Sequence, residues 1–262
     1  MATLHSTLGI VLSRRDFREA DRIYSVLTPT RGKLELLARG GHKPLAKLTP
    51  HLELAAEADL LFVHGRTFLT LAGVERRRQF MGTRTTLGEL LLIQNSLSLV
   101  DLAVRPEERD PLLYALVVNW LAFAGSTGAL SDERGAFLLG SFLLKLMSAC
   151  GYRPELCVCL ACRSPVAPGG YRWHALKGGV VCEACAVAQE DQWFHARRIE
   201  DATLKLLRFA LVEPFGSQLR PTLCEQDSER FHEALESYLI THFPVIPSVS
   251  IRGACVTTLV AA

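Results

Sequence analysis

The chain has no stretch of about eighteen uninterrupted apolar residues, the length a membrane-spanning helix needs. Its first residues, Met1 to Ser6, lack a basic start followed by an apolar run, so no secretory leader is expected and a cytoplasmic location follows. No GxxxxGK[ST] loop is present; Arg39-Gly40-Gly41-His42-Lys43 is basic and contains glycine but has the wrong spacing to cradle a nucleotide. Nor does any nucleophile stand with a base, or any carboxylate pair, at a spacing that marks a catalytic cleft, and His64, His174 and His195 have no such neighbours. An enzyme is therefore not expected. Long polar, strongly charged tracts are also missing: 262 residues with 49% hydrophobic and 21% charged content make a globular chain with room for two cores.

Cysteine, in contrast, is plentiful. Of eight, four form two steps, Cys159-Leu-Ala-Cys162 and Cys182-Glu-Ala-Cys185. Each CxxC turn sets two thiolates on one side of a tight knuckle, and two knuckles can surround one zinc ion with four sulfurs at roughly 2.3 Å. Four sulfurs leave no open coordination position, so the expected ion is structural. The alternative for these thiols is a redox pair or two disulfides, which a reducing compartment disfavours. Cys157 creates a competing Cys157-Val-Cys159 pair, but its one-residue spacer matches the downstream knuckle less well. Cys150, Cys224 and Cys255 read as ordinary buried thiols. Between the knuckles, Arg163 to Val181 leaves room for one short hairpin, too little for a core of its own.

The net charge of +2 hides an asymmetry. Met1 to Phe80 carries thirteen Lys and Arg against eight Asp and Glu, a surplus of five, while the remainder carries sixteen against nineteen. A local positive field of this kind points to a polyanion partner. Over the same segment, short apolar runs broken by turn residues predict five strands: Leu8 to Leu12, Ile23 to Leu27, Leu34 to Ala38, Leu52 to Val63 and Thr67 to Val74. An irregular or helical link is expected from Lys43 to Pro50. Five strands in about seventy residues match the five-stranded Greek-key barrel called the OB-fold.

After Arg84 the apolar period becomes helical. One helix carries Leu87, Leu90, Leu91, Gln94, Leu97, Leu99 and Leu102 on one face; a second is expected to start near Pro106 and close at Gly125; a third runs from Ser131 to Gly151. Helical spacing resumes after the cysteines, at Leu204, Leu207 and Leu211 and again at Phe231, Leu235, Tyr238 and Leu239. The expected whole is a multi-domain α+β chain: an OB-fold over 1–80, a helical domain over 81–158, a four-cysteine zinc hairpin inserted at 159–185, and the rest of the helical domain over 186–262.

This order resembles the RecO family of bacterial recombination mediators. Asp21-Arg22-Ile23 leading to Leu27-Thr28-Pro29, then Gly32-Lys33 and Ala38-Arg39-Gly40-Gly41, is similar to the family's early pattern. Gly151-Tyr152, Pro154 and Leu156 before Cys159-x-x-Cys162, and Gly178-Gly179 before Cys182-x-x-Cys185, resemble its approach to and exit from the zinc site. One departure stands out: the family commonly has glycine just after the second cysteine, where this chain has Arg163. Some members lack the cysteines altogether, so the ion stabilises the module without performing the activity. The resemblance implies a nucleoid-associated cytoplasmic protein that binds single- and double-stranded DNA and anneals complementary strands. It also implies work with a RecR-type partner to help load RecA onto DNA covered by single-strand-binding protein. A zinc-ribbon adaptor acting through protein or RNA contacts in transcription or ribosome assembly is the competing reading.

For DNA, a positive groove that follows phosphates is required, with aromatic faces on which bases stack. The candidate cations are Arg14, Arg15, Arg31, Lys33, Arg39, Lys43 and Lys47, expected at strand ends and loops, and the run Arg76, Arg77 and Arg78 where the last strand leaves the barrel. Phe17, expected in a turn, is the candidate stacking ring; Tyr24, Phe62 and Phe68 are expected in the core. Arg163, Arg172, Trp173, His174 and Lys177 of the hairpin form either a second contact surface or a rigid cap with Trp173 packed inward.

Overall fold

The computed structural model describes residues 3–43, 46–82, 85–166, 169–244 and 251–255. Contacts divide the chain into two compact units, residues 1–129 and 130–259.

In the first unit, strands β1 (Leu4–Phe17), β2 (Asp21–Thr28), β3 (Gly32–Ala38), β4 (Ala56–His64) and β5 (Leu69–Gln79) close into a barrel in the order β1-β2-β3-β5-β4. Alternation explains the closure: Val11, Tyr24, Val26, Leu34, Leu36, Ala58, Leu60 and Phe62 turn inward to one buried cluster. The segment read as one strand from Leu52 to Val63 divides here. Thr49–His51 forms a 3-10 turn, the chain bends through Ala55 at φ +59°, and β4 begins only at Ala56. Of the predicted link, residues 44 and 45 lie outside the described residues.

Two helices pack on this barrel. Helix α1 (Leu87–Ala103) starts with a reciprocal cap, the Thr86 hydroxyl accepting from the Glu89 amide while the Glu89 carboxylate accepts from the Thr86 amide. Its buried face is Leu91, Leu92, Ile93, Leu97, Leu99 and Val100; of the expected stripe Leu91, Leu97 and Leu99 are buried, whereas Leu87 and Leu90 in the first turn are exposed. Helix α2 (Pro111–Ala124) starts at Pro111, not near Pro106, because the Asp110 carboxylate accepts from the Leu112 and Leu113 amides. Pro106 instead belongs to an extended stretch bridged to Lys33, and Glu107 N–H donates to the Lys33 carbonyl at 3.0 Å. Gly32, at φ +67°, must be glycine there: a Cβ would lie 2.3 Å from the Glu108 carbonyl oxygen. The Tyr114 hydroxyl on α2 donates to the buried Glu57 of β4 at 2.8 Å.

The second unit is built on α3 (Asp132–Ala149), capped by Ser131 and followed by Gly151 at φ +90°, as the sequence predicts. Next come β6 (Tyr171–His174), β7 (Gly179–Cys182), the short α4 (Glu183–Ala188) and α5 (Glu190–Trp193), β8 (Arg197–Arg198), α6 (Asp201–Val212) and α7 (Glu225–His242). Helix α3 packs on α6 and α7. The predicted hairpin is β6–β7, but β8 joins it in a three-stranded sheet of order β7-β6-β8. A small core also forms, contrary to expectation: Cys159, Val181 and Ala186 bury against Trp193 and Ala196, residues beyond the second knuckle. Cys224 is exposed and caps α7, so it is not a buried thiol; Cys157 is exposed and Cys150 half-buried, and the Cys255 side chain lies outside the described residues. Among the described residues no helix is long and apolar enough to cross a membrane.

Candidate metal centre and cationic surface

The Sγ atoms of Cys159, Cys162, Cys182 and Cys185 all lie within 4.8 Å of one another. Tetrahedral zinc with sulfur at roughly 2.3 Å requires sulfurs about 3.8 Å apart, and Cys162 and Cys182 stand at 3.9 Å. The donor set and its spacing therefore fit the ion. Cys157 is not part of the cluster.

Backbone geometry sets the thiolates in place. Arg163 N–H donates to the Cys159 carbonyl at 3.0 Å and closes the first knuckle, with Arg163 itself at φ +61°. Glycine takes that conformation without strain, which accounts for the glycine expected there. Cys182 stands at the N-cap position of α4 and Cys185 sits in its first turn. The Cys182 N–H donates to Cys159 Sγ at 3.3 Å. Burial alone would raise the Cys159 thiol, but backbone donors at Cys182, Cys162 and Ala161 outweigh it and hold it below its ordinary value. Hydrogen bonds from Ser164 push Cys162 down to about 6, while sharing protons with Cys182 and Cys162 pushes Cys185 up to about 12.

The hairpin's own cations are largely engaged. Arg172 grips Glu183 through two bonds of 3.0 and 2.5 Å, and Lys177 lies 3.8 Å over the Trp193 ring. Trp173 is buried with its ring against Tyr238, and His174 is buried beside Trp193. These contacts are those of a rigid cap.

On the barrel, the predicted cations separate into three groups. At one end, the turn after β1 and the turn after β3 meet: His42 N–H donates to the Ala20 carbonyl and Gly40 N–H to the Asp21 carboxylate. This end carries the exposed Arg39, Lys43 and Lys47. Arg14 and Arg15 are exposed within β1 itself, not in a loop, and Arg15 pairs with Glu35 at 2.9 Å. Sequence reasoning missed Arg18 and Arg22 here. Arg22 bonds Asp16 at 2.8 Å and His42 at 2.8 Å, and its guanidinium holds the Asp16 carboxyl below the usual range. Their spacing across the Arg18-Glu-Ala-Asp-Arg22 turn was the available signal.

At the other end, Arg31 bonds His5 at 3.1 Å and lies over the Phe62 ring. Lys33 is mostly buried, with Nζ donating to the Asp101 carbonyl and 3.4 Å from its carboxylate. That carboxylate also accepts from Ser13 at 2.7 Å and Ser25 at 2.6 Å, so α1 is tied to three strands at one point. The third group, Arg76, Arg77 and Arg78 of β5, faces acids: Glu53 at 3.5 Å, Asp59, and Glu57 at 3.0 Å.

Phe17 ends β1 and is not in a turn; its ring meets Phe68 edge to face at 5.2 Å, with Arg18 5.0 Å from its centre. Phe68 lies just before β5 and is half-buried, whereas Tyr24 and Phe62 are core as expected.

Comparison with known proteins finds one family over most of the chain. The family description for the N-terminal part of Recombination protein O matches residues 1–80, and that for its C-terminal part matches residues 84–243. The chain belongs to the RecO family. Among similar proteins, each named DNA repair protein RecO, that of Symbiobacterium thermophilum is 32% identical over 239 residues, covering 90% of this chain and 91% of that one. The Roseiflexus sp. protein is 29% identical, covering 80% and 71%, and the Moorella thermoacetica protein 26%, covering 91% and 88%.

Proposed function

We propose that this chain is a DNA-binding mediator of recombinational repair. In this reading, the 1–80 barrel acts as an OB-fold that holds single strands through phosphate contacts, and the chain anneals complementary strands without nucleotide hydrolysis. With a RecR-type partner it helps load RecA onto DNA coated by single-strand-binding protein, in a bacterial cytoplasm close to the nucleoid. The observation that carries it is family membership across both halves of the chain, in relatives named for DNA repair.

The surface of the barrel supports the same reading. Arg39, Lys43 and Lys47 sit exposed at one end, and Arg18 is exposed on the turn that meets theirs. Flexible exposed cations of this kind track a phosphate chain without selecting sequence. Arg14 is a further candidate on the flank. Arg15, Arg22, Arg31, Lys33 and the Arg76 to Arg78 run are weaker candidates, since each already has an internal partner.

One zinc ion held by Cys159, Cys162, Cys182 and Cys185 would staple the two knuckles and supply structure only, since four thiolates fill a tetrahedron. No residue is assigned to bond-making chemistry. The test is strand annealing with two complementary oligonucleotides. The chain should accelerate pairing without ATP; pairing at the uncatalysed rate would instead favour an adaptor that acts through protein or RNA.

A further inference from the structure

The second unit holds a cavity of about 360 Å³ that the metal centre does not use. Trp173 of β6 lines it, with its cross-strand partner Arg197 of β8 and the neighbouring Arg198. Thr203 comes from the first turn of α6. Helix α7 contributes Glu233, Ala234 and Ser237, three positions of one helix face.

Two buried polar atoms in these walls have no hydrogen-bond partner: Trp173 Nε1 and Thr203 Oγ1, on side chains 6% and 1% exposed. Buried donors are rarely left unpaired, because water is lost and nothing replaces it. Around them the surface carries both signs. Arg197 and Arg198 are exposed, Glu233 is exposed opposite, and Arg230 is paired with Glu200.

We infer that this cavity receives one unstacked nucleotide of a single DNA strand, an inference that rests on the DNA-binding reading above. A base has flat apolar faces for Ile199 and Ala234. Its ring nitrogens and carbonyls accept from the indole N–H and the Thr203 hydroxyl, and an exocyclic amine donates to Glu233. The adjoining phosphate meets Arg197 and Arg198. Both orphan atoms are shielded from water as the side chains stand. The base edge therefore reaches them as the exposed Arg197 and Arg198 move toward the phosphate, with Trp173 kept against Tyr238. An acidic peptide tail fits less well, since Glu200 and Glu233 would repel its carboxylates.

The test compares a short oligodeoxynucleotide with the same backbone carrying abasic sites, at fixed salt, using the zinc-loaded chain. Wild type should bind the base-bearing strand about tenfold more tightly. Ala234→Phe, which fills the cavity, should reduce that preference at least fivefold and leave abasic binding unchanged. Thr203→Val, nearly isosteric, should reduce it two- to fivefold, and decides the matter if the larger side chain disturbs folding. Equal binding of the two strands by wild type, or a preference unmoved by these variants, overturns the pocket but not the DNA-binding reading. Failure to retain either strand in dilute buffer overturns both. Reduced binding of a carboxylate-ended peptide in Ala234→Phe, with strand preference intact, reassigns the cavity to a protein partner.

Discussion

At the level of single residues, local conformation decides more than residue type. Arg163 occupies a left-handed position at φ +61°, where a non-glycine side chain costs about 1–3 kcal/mol. Its ion pair with Glu155 spans 3.8 Å on an exposed side chain and offsets little of that. Arg163→Gly should therefore hold or slightly raise the melting temperature of the zinc-loaded chain, and Arg163→Val should lower stability by about 1–2 kcal/mol; thermal denaturation separates them. Lys33 makes a similar point for charge. Its ammonium serves Asp101, so Lys33→Ala should cost about 1–3 kcal/mol in urea denaturation while leaving the salt dependence of DNA binding alone. The paired change Arg39→Ala with Lys43→Ala should do the reverse, flattening the slope of log affinity against log salt by about 1.4 at little cost in stability. Nothing local distinguishes these lysines in the sequence, because the partner of Lys33 lies 68 positions away.

Secondary elements were legible wherever a local signal sufficed. The five strands followed from apolar alternation, α3 from its serine cap and closing glycine, and the cysteine cluster from its spacing. Errors arose where a remote contact overrode the local one. Pro106 and Pro111 suit a first helical turn equally, yet the stretch around Pro106 is held extended by Lys33, and only Asp110 supplies a cap. Similarly, Trp193 and Ala196 complete the core of the metal module from outside the interval the cysteines define. That core includes five buried residues among those described, so in the reading proposed above a zinc ion would supply much of the module's folding energy. Removing it with a chelator should raise amide exchange throughout β6, β7 and β8 and leave the barrel strands protected. Equal protection with and without metal, followed by hydrogen exchange, would show that the sheet stands unaided.

For the molecule as a whole, helical periodicity identified helices but not the core each one joins. Helices α1 and α2 belong to the compact unit of the barrel, anchored by Asp101 and by Tyr114 on Glu57, and a list of apolar positions contains no such assignment. The barrel itself is closed unevenly. Strands β2 and β3 share seven residue pairs and β4 and β5 nine, but β3 and β5 meet in parallel over only Leu36 with Leu69 and Leu37 with Thr70. That clasp is the place where the cylinder can unzip at least expense, so transient breathing should begin at these four residues.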